Sequence, residues 1–159
     1  MAKGGQNKSS DAPRINNRRA LHDYFIEAKL ECGIVLQGSE VKSLRQGRAQ
    51  LQESFVRVEK GNLILHGCHI DPYDKAAAAA NHDPLRERRL LAHKREIRKL
   101  QDATKEKGTA LIPLALYFKD GRAKVEIGVG RGKKFFDKRE SIKKKEQERE
   151  MRRATSHRR

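Results

Sequence analysis

Four side chains of this sequence could ligate a metal ion: Cys32, His66, Cys68 and His69 offer the thiolates and imidazoles that zinc prefers. Their spacing argues against it. On a strand His66 and Cys68 share one face while His69 points the opposite way, and there is no CxxC pair. Ordinary packing and surface histidine is the plainer reading. A second chemistry, acid–base cleavage, would draw on His22 or His82 with Glu27, Glu31 or Glu40. Nothing in the order of the chain forces these groups together, and carboxylates such as Glu27 and Glu31 on a strand face are usually solvated. His93 reads as a helix-face residue near an apolar stripe. The sequence therefore predicts no catalytic residue, no metal, no cofactor and no small-molecule substrate.

Charge is the stronger signal. The 159 residues carry 37 Lys and Arg against 21 Asp and Glu, a formal net charge of +16. Half of that lies in Arg131–Arg159, which holds 13 basic and 5 acidic residues and almost no apolar ones, so it cannot offset its ordering entropy by burial. Such a segment needs a polyanion, and nucleic acid is the abundant one. A second concentration lies between Arg86 and Lys107, with 9 basic and 4 acidic residues. One basic helix face is usually just a solvated side, but two concentrations in a small chain point to nucleic-acid contact. Phe135 and Phe136 stand at the start of the tail, where their rings can stack on unpaired bases for about 1–3 kcal/mol each. The tail lacks the apolar face of a membrane-surface helix, no run is long enough to span a bilayer, and two unpaired cysteines fit a reducing compartment. A soluble, cytoplasmic protein is expected. Same-face opposite charges such as Lys144 and Glu148 give the tail a latent helical tendency.

Any binding surface must be positioned by elements between the polar ends. Tyr24–Glu31 alternates as a half-buried strand, with Gly33 a bulge or barrel corner and Ile34–Leu36 a continuation. Ser39 is placed to cap a helix from Glu40 to Gln46 that buries Val41 and Leu44 and leaves Lys42, Arg45 and Arg48 outward. Ser54–Glu59 and Leu63–Ile70 form a predicted hairpin about Lys60-Gly61-Asn62, and Ala110–Phe118 and Arg122–Val129 form another about Asp120-Gly121. Pro113 places its strand at an edge or bulge. Asp83-Pro84 predicts the start of a helix over Leu85–Lys107, with Leu90, Ile97 and Leu100 on one stripe. The run Ala76–Ala80 is either helix or surface loop. Together these predict a mainly β fold, a small closed antiparallel OB-type barrel with flanking helices and a disordered basic C-terminal tail. The expected divisions are a disordered leader over 1–13 with no secretory signal, the barrel over 14–130 and the tail over 131–159.

Three segments then give a specific resemblance: NRRALHDYFIEAKLECGIVLQGSEVKSLRQG at Asn17–Gly47, HDPLRERRLLAHKREIRKL at His82–Leu100 and GRGKKFFDKRE at Gly130–Glu140. In that order they closely resemble the SsrA-binding protein (SmpB) family. The resemblance implies an RNA-binding adaptor, without bond chemistry, that binds the tRNA-like domain of transfer-messenger RNA as a monomer, one per RNA. It implies that protein and RNA together imitate a tRNA, the protein replacing the anticodon arm, and enter ribosomes stalled without a stop codon for trans-translation. By position, Asn17, Tyr24, Glu31, Lys42 and Leu91 match the family's RNA-binding surface, with Arg45 and Arg48 as neighbours. Gly132, Lys133, Lys134, Asp137, Lys138 and Arg139 match a tail motif that acts on rRNA of the decoding centre, and Phe136 stands where the family often has a Tyr or His that stacks on a base. The tail would become helical in the empty mRNA channel. A generic basic, ribosome-associated RNA-binding protein is the alternative reading.

Overall fold

Two-residue turns and period-two alternation account for most of the architecture. The structure, a computed structural model, describes residues 12–156, with the backbone alone for 134–141. In chain order the elements are β1 (Ile15–Asn16), α1 (Arg18–Asp23), β2 (Tyr24–Ile34), α2 (Gly38–Arg45), β3 (Ala49–Gln50), β4 (Phe55–Glu59), β5 (Asn62–His66), β6 (His69–Ile70), a 3-10 turn at Ala78–Ala80, β7 (Arg88–Leu91), α3 (Lys94–Ala103), β8 (Thr109–Lys119), β9 (Arg122–Gly132) and α4 (Lys133–Ser156). The larger sheet is antiparallel and runs β1-β8-β4-β5-β7-β2-β9, with β8 also paired to β9, while β3 and β6 pair separately. The protein is thus mainly β with flanking helices.

Both hairpin turns fall where the sequence places them. Lys60 and Gly61 have φ of 49° and 77°, and Asp120 and Gly121 have 51° and 74°, so each loop has the two left-handed residues that match the twist of its strands. The register of β8 against β9 shifts between Pro113 and Ala115, the bulge that a proline without a ladder donor predicts. Along β2 the irregularity lies between Ile26 and Ala28 instead of at Gly33. Gly33 stays in register with Leu91, and its missing side chain serves that contact, because a Cβ there would lie 3.3 Å from the Leu91 Cβ. Gly128 is more tightly constrained: its Cβ would sit 2.9 Å from Leu114 Cδ1 and 3.1 Å from Ile26 Cγ2.

The predicted helix over Leu85–Lys107 is replaced by two elements. Arg88 and Leu90 point inward while Arg89 and Leu91 point outward, so this stretch has a period of two and forms β7 between β5 and β2. The helix begins only at Lys94, where the His93 backbone N–H donates to Glu96, and α3 buries Ile97 and Leu100. Leu90, Ile97 and Leu100 do share one core, with Leu44, Leu63, Leu65, Leu111, Val125 and Ile127, but a strand and a helix deliver them. Asp83-Pro84 makes a turn in which Asp83 Oδ1 accepts from the Leu85 N–H. Part of Ala76–Ala80 is the exposed 3-10 turn. The tail, expected to be unordered alone, is helical over Lys133–Ser156, with every residue from Ile142 to Ser156 exposed. The leader over residues 1–11 lies outside the described residues.

Candidate nucleic-acid interface

A buried carboxylate fixes the position of α2. Glu40, fully buried, accepts from Arg86 through both oxygens at 2.7 Å, from Arg88 Nε at 2.9 Å and from the Gln37 backbone N–H at 2.9 Å. Arg88 is equally buried and spends its remaining donors on the carbonyls of Cys68 at 2.6 Å and Pro84 at 3.1 Å. Burial opposes the Glu40 charge most. The Arg86 hydrogen bond, the Gln37 N–H and the Arg88 charge outweigh it and bring the carboxyl below the ordinary glutamate value of 4.5. This network ties α2 to the start of β7, elements more than 40 residues apart in sequence. Ser39, expected to cap α2, is joined instead to His82 Nδ1 at 2.8 Å, while Gln37 is the N-cap.

The clamp opens a groove of about 380 Å³ between α2, β2, β7 and the β8–β9 hairpin, lined by Gly33, Val41, Leu91, Phe118, Arg122 and Lys124 among others. Leu91 is 51% exposed there, a large apolar side chain that the core does not claim. The Arg45 guanidinium lies 5.1 Å from the Phe118 ring centroid. Beside the groove Glu31 accepts from the Tyr117 hydroxyl and pairs with Lys119 at 3.5 Å. The Tyr117 bond is the main cause that holds the Glu31 carboxyl below its usual range, whereas burial and Glu31 push the Tyr117 phenol up to about 12. Lys42 stands over the Tyr73 ring at 5.3 Å, and Arg48 is paired with Asp71 and Asp74. The arrangement offers an apolar platform, an aromatic ring backed by a cation, further cations for phosphates and one ionised acceptor for base or ribose donors. Phe118, Tyr117, Lys119, Arg122 and Lys124 were not among the sequence candidates. The signal was present in the Asp120-Gly121 turn, which must carry the strand ends flanking it to one edge of the sheet.

Other candidates lie elsewhere. Asn17 is buried and caps α1: its Oδ1 accepts from the Ala20 N–H at 3.2 Å, and its Nδ2 donates to the carbonyls of Leu51 at 3.1 Å and Pro113 at 2.9 Å. These bonds fix the start of α1 against the Leu51 carbonyl and β8. Asn17→Ala is accordingly expected to destabilise the fold by about 1–3 kcal/mol, through loss of a cap and stranding of two buried carbonyls, which a lowered urea midpoint would register. Tyr24 is half-buried against the small cluster of Ala20, Ile112 and Leu114. Gly132 ends β9 opposite Tyr24, and Lys133 Nζ donates to the Leu21 carbonyl at 3.0 Å while lying 5.2 Å from the Phe25 ring centroid. The side chains of Lys134, Phe136, Asp137, Lys138 and Arg139 lie outside the described residues.

The acid–base candidates have separate partners. His82 is buried between Ser39 and the Ile70 carbonyl, His22 pairs with Asp23, Glu27 with Arg131 and Glu31 with Tyr117. Burial pushes the thiols of Cys32 and Cys68 up to about 12 and about 11. His66 is flanked by Glu59 and Glu87 instead of by the thiols, and among the described residues that trio is the group whose ligand atoms converge.

Comparison with known proteins narrows the field. A family model described as SmpB protein matches residues 14–157. The SsrA-binding protein of Geobacillus thermodenitrificans is 57% identical over 138 residues, 87% of this chain and 88% of its own. That of Bacillus subtilis is 52% identical over 147 residues, 92% of this chain and 94% of its own. Among solved structures, a chain from one described as "tmRNA-SmpB: a journey to the center of the bacterial ribosome" superposes with a TM-score of 0.66 at 49% identity, covering 76% of this chain and 85% of that one.

Proposed function

The chain belongs to the SmpB family, and we propose that it is an RNA-binding adaptor that carries transfer-messenger RNA to stalled ribosomes for trans-translation. Its relatives are named for binding SsrA, and the similar solved chain comes from a complex of tmRNA, SmpB and the bacterial ribosome. The observation that carries the assignment of a surface is the exposed Leu91 in a groove rimmed by Arg45, Phe118, Arg122 and Lys124. An RNA with unstacked bases can pack on the apolar platform while its phosphates meet the cations. Glu31, held ionised, repels phosphate and is left to accept from base N–H or ribose hydroxyl groups.

The pairings β8–β4–β5–β7–β2–β9 return to β8, and we read this cycle as a closed OB-type barrel. In this reading residues 14–130 are the RNA-binding barrel and the basic tail follows it, although Arg131 and Gly132 still pair within β9. The tail acts separately. A helix of 24 residues extends about 36 Å, and its Lys, Arg and Glu side chains from Lys143 to Arg153, all exposed, suit a channel walled by rRNA once the message is absent. At its root Gly132, Lys133, Lys134, Phe136, Asp137, Lys138 and Arg139 serve the decoding centre, with Phe136 as the stacking ring. Such a probe binds by charge, shape and stacking, which suits any stalled message. The protein works in the cytoplasm, one copy per RNA.

Leu91→Asp tests the surface. It places a second carboxylate on an exposed position beside Glu31 and removes the platform, so affinity for the tRNA-like domain at fixed salt is expected to fall at least about tenfold, with the urea midpoint unchanged. Unchanged affinity would remove this groove from the interface.

A further inference from the structure

A second surface lies at another seam of the sheet. Strands β4 and β8 meet at one register pair, Val56 with Leu111, and then diverge. A groove of about 590 Å³ fills the gap, bounded by β4, the end of α3 with the turn after it, and the start of β8. Phe55 stands at its mouth, 39% exposed, and also borders a neighbouring groove of about 390 Å³ that includes Arg19 and Tyr24. The ring belongs to a stack of planar groups. His66, its cross-strand partner, lies parallel to it at 5.1 Å with an interplanar angle of 14°, and the Arg57 guanidinium lies 4.9 Å from its centroid. Arg57 makes no ion pair among the described residues, so it backs an aromatic surface while its N–H edge remains available to a phosphate. Gln101 adds a polar group along the wall, and Lys105, also on it, is paired with Asp102 at 3.1 Å.

We propose that this seam is a second RNA site that takes an unpaired nucleotide, its base packed against the exposed Phe55 ring and its phosphate on the N–H edge of Arg57. An acidic peptide could use the cations, but it has no use for the ring stack, and the net charge of +16 selects polyanions generally. The site shares no lining residue with the Leu91 groove. Its occupation therefore does not depend on the surface assigned above, and the two together would let one barrel hold two RNA segments.

The test uses the full chain and a short single-stranded oligouridylate carrying one 5-iodouridine, at salt high enough to screen tail-only binding. Photo-cross-linking is expected to mark Phe55 or its β4 neighbours. Phe55→Ala should lose at least about fivefold in affinity, Phe55→Tyr should bind like the parent, and Leu91→Asp should keep the β4 cross-link. If Phe55→Ala does not fold by circular dichroism, Phe55→Leu is read in its place, since it keeps apolar volume without the ring. Equal affinity of the non-aromatic variant, cross-links confined to the tail, or displacement by polyglutamate as effective as by RNA would each overturn the proposal. A failure of Leu91→Asp to weaken the tRNA-like domain would instead bear on the first surface alone.

Discussion

A chain ended after Lys133 is expected to bind the tRNA-like domain of transfer-messenger RNA with nearly full affinity and to support no tagging on stalled ribosomes above the level seen without the protein. The cut point follows from the fold. Gly132 still pairs with Tyr24 and Arg131 with Phe25 and Thr109, and Lys133 is held by the Leu21 carbonyl, so ending the chain at Gly130 would remove ladder bonds as well as the tail. Cutting after Lys133 discards 11 Lys and Arg and 5 Asp and Glu, residues of which the described side chains from Ile142 to Ser156 are all exposed. The buried core clusters among the described residues contain none of them. Some loss of affinity at low salt would reflect the missing charge and should vanish as salt rises. Tagging assayed on ribosomes lacking a stop codon, beside equilibrium RNA binding at matched salt, separates the two activities. Normal tagging by the shortened chain would end the tail-probe reading.

Glu40→Ala carries the largest expected cost in stability. It leaves Arg88 fully buried with only carbonyl partners and releases Arg86 from both of its short bonds, which places the loss at about 3–5 kcal/mol. A urea melt would show the midpoint drop, and because α2 carries Lys42 and Arg45 and β7 carries Leu91, RNA affinity should fall with it. A pH dependence follows from the same group. The Glu40 carboxyl is depressed in the folded state, so the unfolded chain binds its proton first. The stabilisation is fully present above the ordinary value of 4.5 and is lost as pH falls through the lower folded value. The parent should therefore lose stability below about pH 4.5 more steeply than Glu40→Gln, which has no proton to gain there. Parallel pH profiles would show that the carboxylate adds nothing.

The strands were legible because their rules are local. Tyr24–Glu31 alternates, and Lys60-Gly61 and Asp120-Gly121 supply the left-handed turns that only a few residue types adopt readily. Arg88 shows where local rules stop. A charged residue in a basic run reads as solvent-facing on a helix, and only its distant partner Glu40 makes burial on a strand tolerable. Asn17 is a second case: its place on the RNA surface is implied by resemblance alone, and its amide ties the start of α1 to the Leu51 and Pro113 carbonyls, one of them 96 residues away. Glu31, Lys42, Arg45 and Leu91 rest on motif resemblance; of these Leu91 lines the groove and Arg45 packs on its Phe118. The hairpin residues that line the same groove, Phe118, Arg122 and Lys124, are not legible locally, because which strand end faces which helix is decided by tertiary register.

The most direct test of the central claim is the identity of the RNA that copurifies with the full-length chain from a bacterial cell under salt that strips nonspecific partners. The account predicts transfer-messenger RNA enriched about one to one with protein, and its loss from the Leu91→Asp variant. Ribosomal RNA without that enrichment would contradict it and leave a general basic ribosome-binding protein in its place.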